Sequence, residues 1–101
     1  MICALTVRTL KPDTFDDFRH AFMGELDTDN PPEGWVRFNM VRNVDNPDEV
    51  IAFGFFDGTA DELRASAAQD DGRAAQLAAI EPYVAATGAD GLYEVVEEFA
   101  T

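Results

Sequence analysis

Apolar positions along the chain follow two periods, and each change of period marks an element. Residues 2–9 are apolar on both parities, with Ile2 and Ala4 on one face and Cys3, Leu5 and Val7 on the other. A strand covered on both sides has this pattern. Pro12-Asp13-Thr14 supplies a breaker and a cap, with Asp13 or Thr14 at the N-cap and Asp16 and Asp17 suited to the positive end of a helix. Phe15, Phe18, Phe22 and Leu26 then fall on a stripe about 80° wide, which predicts an amphipathic helix ending in a loop over 27–32. Residues 35–44 alternate, Val36, Phe38 and Met40 against Trp35, Arg37, Asn39 and Asn43, as a half-buried strand does. Asp45-Asn46-Pro47-Asp48 is turn chemistry, and residues 50–56 are again apolar on both parities, so the two strands pair as a hairpin.

Thr59 with Glu62 three residues on forms a capping box opening an alanine-rich helix that carries Leu63 and Ala67. Asp70-Asp71-Gly72 breaks it, and a second helical piece from about Arg73 is expected to bury Leu77, Ile80 and Val84. Pro82 predicts a break or kink, Gly88 a C-terminal stop, and residues 92–99 a last strand at the sheet edge with Glu94, Glu97 and Glu98 toward solvent. The order βαββαβ predicts one domain over residues 1–101 of the α+β class. It is a ferredoxin-like fold whose four-stranded antiparallel sheet has its first and third strands in the centre. Helices cover only one face of such a sheet, yet both central strands are apolar on the second face too. Soluble monomers seldom expose a patch of that kind, and at roughly 25 cal/mol per Å² its burial drives association. The expectation is a homodimer packed sheet against sheet about a two-fold axis.

Composition narrows the function classes. Twenty Asp+Glu against seven Lys+Arg give a net charge of −13, which opposes the phosphate contacts of nucleic-acid binding. The acids are spread from Asp13 to Glu98, as on a solvated surface, a balance that salt adaptation would also favour. One cysteine excludes an internal disulfide framework and a multi-Cys zinc site. The apolar start has no basic region before it and is interrupted by Arg8, unlike a signal peptide, and no apolar run approaches the ~20 residues of a membrane span. A cytoplasmic protein without membrane contact is expected.

The opening strand with Lys11-Pro12-Asp13 and its Phe-rich helix, the Gly34-Trp35 strand, the run from Asp45 to Val50 and the closing Gly91-Leu92-Tyr93-Glu94-Val95-Val96 together resemble the dimeric α+β-barrel superfamily. Within it the chain is similar to the antibiotic-biosynthesis-monooxygenase-like (ABM) family over essentially its whole length. The resemblance implies a dimeric α+β barrel with a pocket between sheet and helices in each subunit. It also implies, for some members, cofactor-independent oxygenation of phenolic polycycles, so no cofactor is expected. The haem-degrading branch is matched poorly: the first strand lacks its Asn, and residues 61–79 contain no His. A pocket of the implied kind would draw on Trp35, Arg37 and Asn39, which alternation places on one strand face, and on Tyr83 or Tyr93. Trp and Tyr offer flat walls with a polar tip, Arg37 a partner for phenolate or carboxylate, and Asn39 an amide.

Each of these residues has a structural role open to it as well. Trp35 suits an interface rim, Arg37 a surface ion pair, Asn39 a neighbouring backbone group, and the tyrosines the core. His20 falls off the apolar stripe and reads as solvated. Asp27 and Asp29 begin like a calcium loop, but Pro31 and Pro32 occupy the positions of its next ligand and turn glycine. Cys3 has no activating His or Lys beside it in sequence. The leading reading is a small-molecule-pocket protein acting as a cofactor-independent monooxygenase on an aromatic or polyketide-like phenol. The alternative is a non-catalytic ligand-binding or stress-associated module whose pocket is plugged by Phe and Met side chains.

Overall fold

Four antiparallel strands, β1 (Ile2–Leu10), β2 (Trp35–Arg42), β3 (Glu49–Phe56) and β4 (Val84–Glu94), form one sheet in the order β2-β3-β1-β4. The computed structural model describes residues 1–24, 33–68 and 71–100. The two strands apolar on both parities, β1 and β3, are the central pair, in register from Ile2 opposite Phe56 to Thr9 opposite Glu49. Helices α1 (Phe15–Gly24), α2 (Ala60–Ala67) and α3 (Asp71–Ile80) complete the ferredoxin-like α+β fold. Leu26, the expected loop over 27–32 and the expected break at Asp70 lie outside the described residues.

Two apolar clusters hold the helices to the sheet. At one end Leu10, Phe18, Val50 and Ile80 are buried together, with Phe18 wholly inaccessible; at the other, Ile2, Phe56 and Leu63 pack with Trp35 and Leu92. The spacing of Phe15, Phe18 and Phe22 thus does what the helical stripe predicts. Gln76 is buried and donates its side-chain amide to the Phe22 carbonyl at 3.2 Å, tying α3 to α1. The capping box at α2 is closed in both directions: Glu62 N–H donates to Thr59 Oγ1 (3.1 Å) and Thr59 N–H to Glu62 Oε1 (3.2 Å). The other face carries Cys3, Leu5 and Val7 of β1 opposite Phe55, Phe53 and Ile51 of β3, half-buried and uncovered by any described helix.

The C-terminal third departs from the expected boundaries. Helix α3 ends at Ile80, and Glu81–Tyr83 is a single 3₁₀ turn containing Pro82, so the helix breaks at the proline as expected. Val84 opens β4 opposite Leu10 rather than continuing a helix, and Gly88 lies within this strand instead of stopping a helix. The strand therefore starts eight residues before Leu92, and residues 95–100 continue without regular structure after Val95 N–H bonds the Met1 carbonyl at 3.1 Å. After Val84, Ala85-Ala86 carries little strand propensity of its own. Pairing with the nine-residue β1 makes it a strand, through two register shifts opposite Thr6–Arg8 and Thr9–Leu10. Leu77, expected in the core, is 42% exposed, and Ala67 is exposed.

Candidate functional site

The residues of β1 that face the helices run Ile2, Ala4, Thr6, Arg8, Leu10. Ile2 and Leu10 each enter one apolar cluster, so the polar pair Thr6 and Arg8 occupies the gap between the clusters. On β4 the residues opposite them are also polar, Asp90 beside Thr6 and Thr87 beside Arg8. Leu77, Ala78 and Ile80 of α3 and Glu81 stand beside this polar strip, Val84 extends it along β4, and together they border an open hollow of about 400 Å³. A hollow with one polar floor and one apolar wall, in this size range, suits a small organic molecule.

The floor carries one cation, Arg8, and one carboxylate, Asp90. Thr6 Oγ1 donates to Asp90 Oδ1 at 2.9 Å, fixing that carboxylate at the cavity edge. Arg8 is only 5% exposed, and its Nη1 is buried without a hydrogen-bond partner. Burial, aided by the nearby Arg73 charge and opposed by Asp90, pulls the Arg8 guanidinium below its ordinary range. Arginine nevertheless stays cationic at neutral pH. A second hollow, of about 340 Å³, lies between the start of α1 and the β2–β3 turn. Its cation, Arg42, is already stacked 4.3 Å over the Phe15 ring. Among the described residues no group of three or more His, Cys, Asp or Glu side chains is arranged to hold a metal.

None of Trp35, Arg37, Asn39 and Tyr83 lines the cavity between sheet and α3. The expectation that the first three share a face fails at a β-bulge. Trp35 pairs with Phe56 and Arg37 with the adjacent Phe55, so Val36 is an extra residue that reverses the parity of the strand. Trp35 consequently lies on the helix side, 4.6 Å from the Phe38 ring and edge-on to Phe56 at 5.5 Å. Arg37 and Asn39 stand on the open face opposite Phe55 and Phe53, the Arg37 guanidinium 4.8 Å over the Phe55 ring. Tyr83 packs against the Leu10–Phe18 cluster, while its carbonyl accepts from Lys11 N–H at 2.9 Å. Tyr93 lies opposite Cys3 and is exposed, as is His20.

Thr6, Arg8, Thr87 and Asp90 were not anticipated as site residues. For Arg8 a signal was present: a charge on the same parity as Ile2 and Ala4, inside a strand with both faces apolar, is a charge placed in the core. For Thr87 and Asp90 no local signal existed, because their positions depend on the bulged pairing of β4 with β1.

No protein-family model matches the sequence, and no curated protein matches it either. Solved structures do match over nearly the whole chain. SnoaB, a cofactor-independent oxygenase from Streptomyces nogalater, is 16% identical, with 99% of this chain and 97% of that one covered and a TM-score of 0.77. A single-residue variant of SnoaB matches with a TM-score of 0.81 at 17% identity, again covering 99% and 97%. A provisionally assigned antibiotic biosynthesis monooxygenase from Deinococcus radiodurans covers 100% of this chain and 98% of its own, at 11% identity and a TM-score of 0.79. The chain therefore has the ABM-like fold.

Proposed function

We propose that this ABM-fold protein is a cofactor-independent monooxygenase that binds an aromatic, polyketide-like phenol in the cavity between sheet and α3, and that it works as a homodimer. The observation that carries this reading is the cavity itself. Its lining contains neither Phe nor Met, so the Phe and Met plug that would favour a non-catalytic module is not among its lining residues. In the chemistry proposed, a substrate such as anthrone loses a proton from its ring methylene. The resulting carbanion gives one electron to O₂, and the radical pair combines to a peroxide. Loss of water then leaves a carbonyl, so one oxygen atom stays on the ring and the other leaves as water, with no outside reductant. The protein's part is to orient the ring, stabilise the anion and exclude water.

The test is oxygen uptake with anthrone and hydroquinone substrates, with chelator present and no cofactor added. Uptake above the spontaneous rate, with one O₂ consumed per anthrone, is expected. Ala78→Phe, which fills the cavity from α3, should abolish it while leaving the circular dichroism spectrum unchanged. Uptake no faster than the spontaneous reaction with either substrate class would overturn the oxygenase reading and favour a binding module. The open sheet face, with Leu5, Val7, Ile51, Phe53 and Phe55, supports the homodimer and is where Arg37 and Asn39 would meet a partner.

A further inference from the structure

We infer that Arg8 is the anion-recognising group of the cavity, and that the ligand is an aromatic compound presenting an anionic oxygen to its guanidinium. The inference takes from the proposed function only that this cavity is where the ligand binds. Arg8 occupies a strand position where its neighbours of like parity are Ile2, Ala4, Thr6 and Leu10, so it is the one charged group on that face of β1. A buried cation with an unbonded donor is a poor structural element, since an apolar residue of similar length fills such a position at least as well. Its guanidinium, however, borders the hollow, and a desolvated guanidinium binds an oxyanion far more strongly than one in water.

The chain carries −13 overall, yet two of its seven cations, Arg8 and Arg73, are close enough for the field of one to act on the other. Two carboxylates border the same hollow, Asp90, which is held by Thr6, and Glu81, and Arg8 Nη1 is hydrogen-bonded to neither. Leu77 and Ile80 of α3 stand across from the polar floor, with Glu81 at their end, so an occupant needs one flat apolar body and one charged edge. An aryl carboxylate and a phenolate both satisfy this description.

Calorimetric titration of the wild-type protein with 2-naphthoate, 2-naphthamide and 2-naphthol distinguishes these. The anion is expected to bind at least tenfold more tightly than the amide of the same shape. Carboxylate affinity that is flat between pH 6 and 8 identifies a carboxylate ligand. Naphthol affinity that climbs as the phenol ionises identifies a phenolate. Arg8→Met should erase the preference over the amide while leaving the melting temperature unchanged or higher. Asp90→Asn, which keeps an acceptor for Thr6 but removes a charge that repels the ligand, should tighten naphthoate binding several-fold. That opposite sign keeps the inference testable if Arg8→Met fails to fold. Equal binding of acid and amide, with no gain for naphthol at higher pH, overturns the inference, as does full preference surviving in Arg8→Met. Oxygen uptake on anthrone that Arg8→Met leaves untouched would remove this inference and spare the oxygenase reading. Arg8-dependent anion binding without any oxygen uptake would do the reverse.

Discussion

Gly54 lies in the middle of β3 under two aromatic rings, where a Cβ would come within 2.7 Å of Phe38 Cδ1 and 2.9 Å of Trp35 Cζ3. Gly54→Ala forces both rings aside and is expected to cost about 1–3 kcal/mol in urea denaturation, with a shift in the emission of Trp35, the one tryptophan. Phe18 has the opposite problem, since truncation leaves space rather than crowding. Phe18→Ala should lose about 3–5 kcal/mol, a large share of a small domain's stability. Cys3 is a case of pH dependence. Desolvation by burial raises its thiol pKa, so less thiolate exists at any given pH than for a free cysteine. Alkylation by iodoacetamide should be slower than for a model thiol at pH 8 and should continue to accelerate above the pH at which the model thiol levels off. Phe18 was legible from helical spacing alone, whereas the crowding at Gly54 was not, because both rings reach it across the strands.

Local chemistry decides some elements and long-range pairing decides others. The start of α2 belongs to the first kind: Thr59 and Glu62, three residues apart, satisfy each other's backbone groups. Thr59→Ala should cost about 1 kcal/mol in the same denaturation assay, and Glu62→Ala should remove one of the two bonds and cost less. The β2–β3 turn is also local, with Asn43 Oδ1 accepting from Asp45 N–H (2.8 Å) and Asn46 N–H (3.2 Å) before Glu49 opens β3. These elements were legible because the residues that cause them are neighbours in sequence. The first half of β4 was not, since its alanines suit a helix and only β1, more than seventy residues away, makes them a strand. The same distance explains the candidate site. Its floor comes from β1 and β4 together, and a reading of β2 alone pointed to Trp35, Arg37 and Asn39 instead.

At the scale of the whole molecule, charge and the uncovered sheet face act against each other. Two chains carrying −13 each repel, while Leu5, Val7, Phe53 and Phe55 gain by leaving water. Light scattering at micromolar concentration should give twice the 11.1 kDa chain mass, and Phe53→Asp should return the monomer. A mass of 11.1 kDa for the unmodified protein would refute the dimer. Added KCl screens the repulsion, so the melting temperature should rise between low and molar salt; a flat response would mean the acidic surface serves solubility alone. The bulge at Val36 bears on a different property of the molecule, its tolerance of changes in length. Because Val36 has no residue opposite it, deleting its codon removes a spare and leaves Trp35 opposite Phe56 and Arg37 opposite Phe55. Deleting the codon for Asn39 uses up the same spare but makes Phe38 and Arg37 exchange faces, sending a guanidinium toward the helices. Across descendants of this chain, insertions and deletions in β2 should therefore collect beside Trp35 and be absent from the stretch that follows.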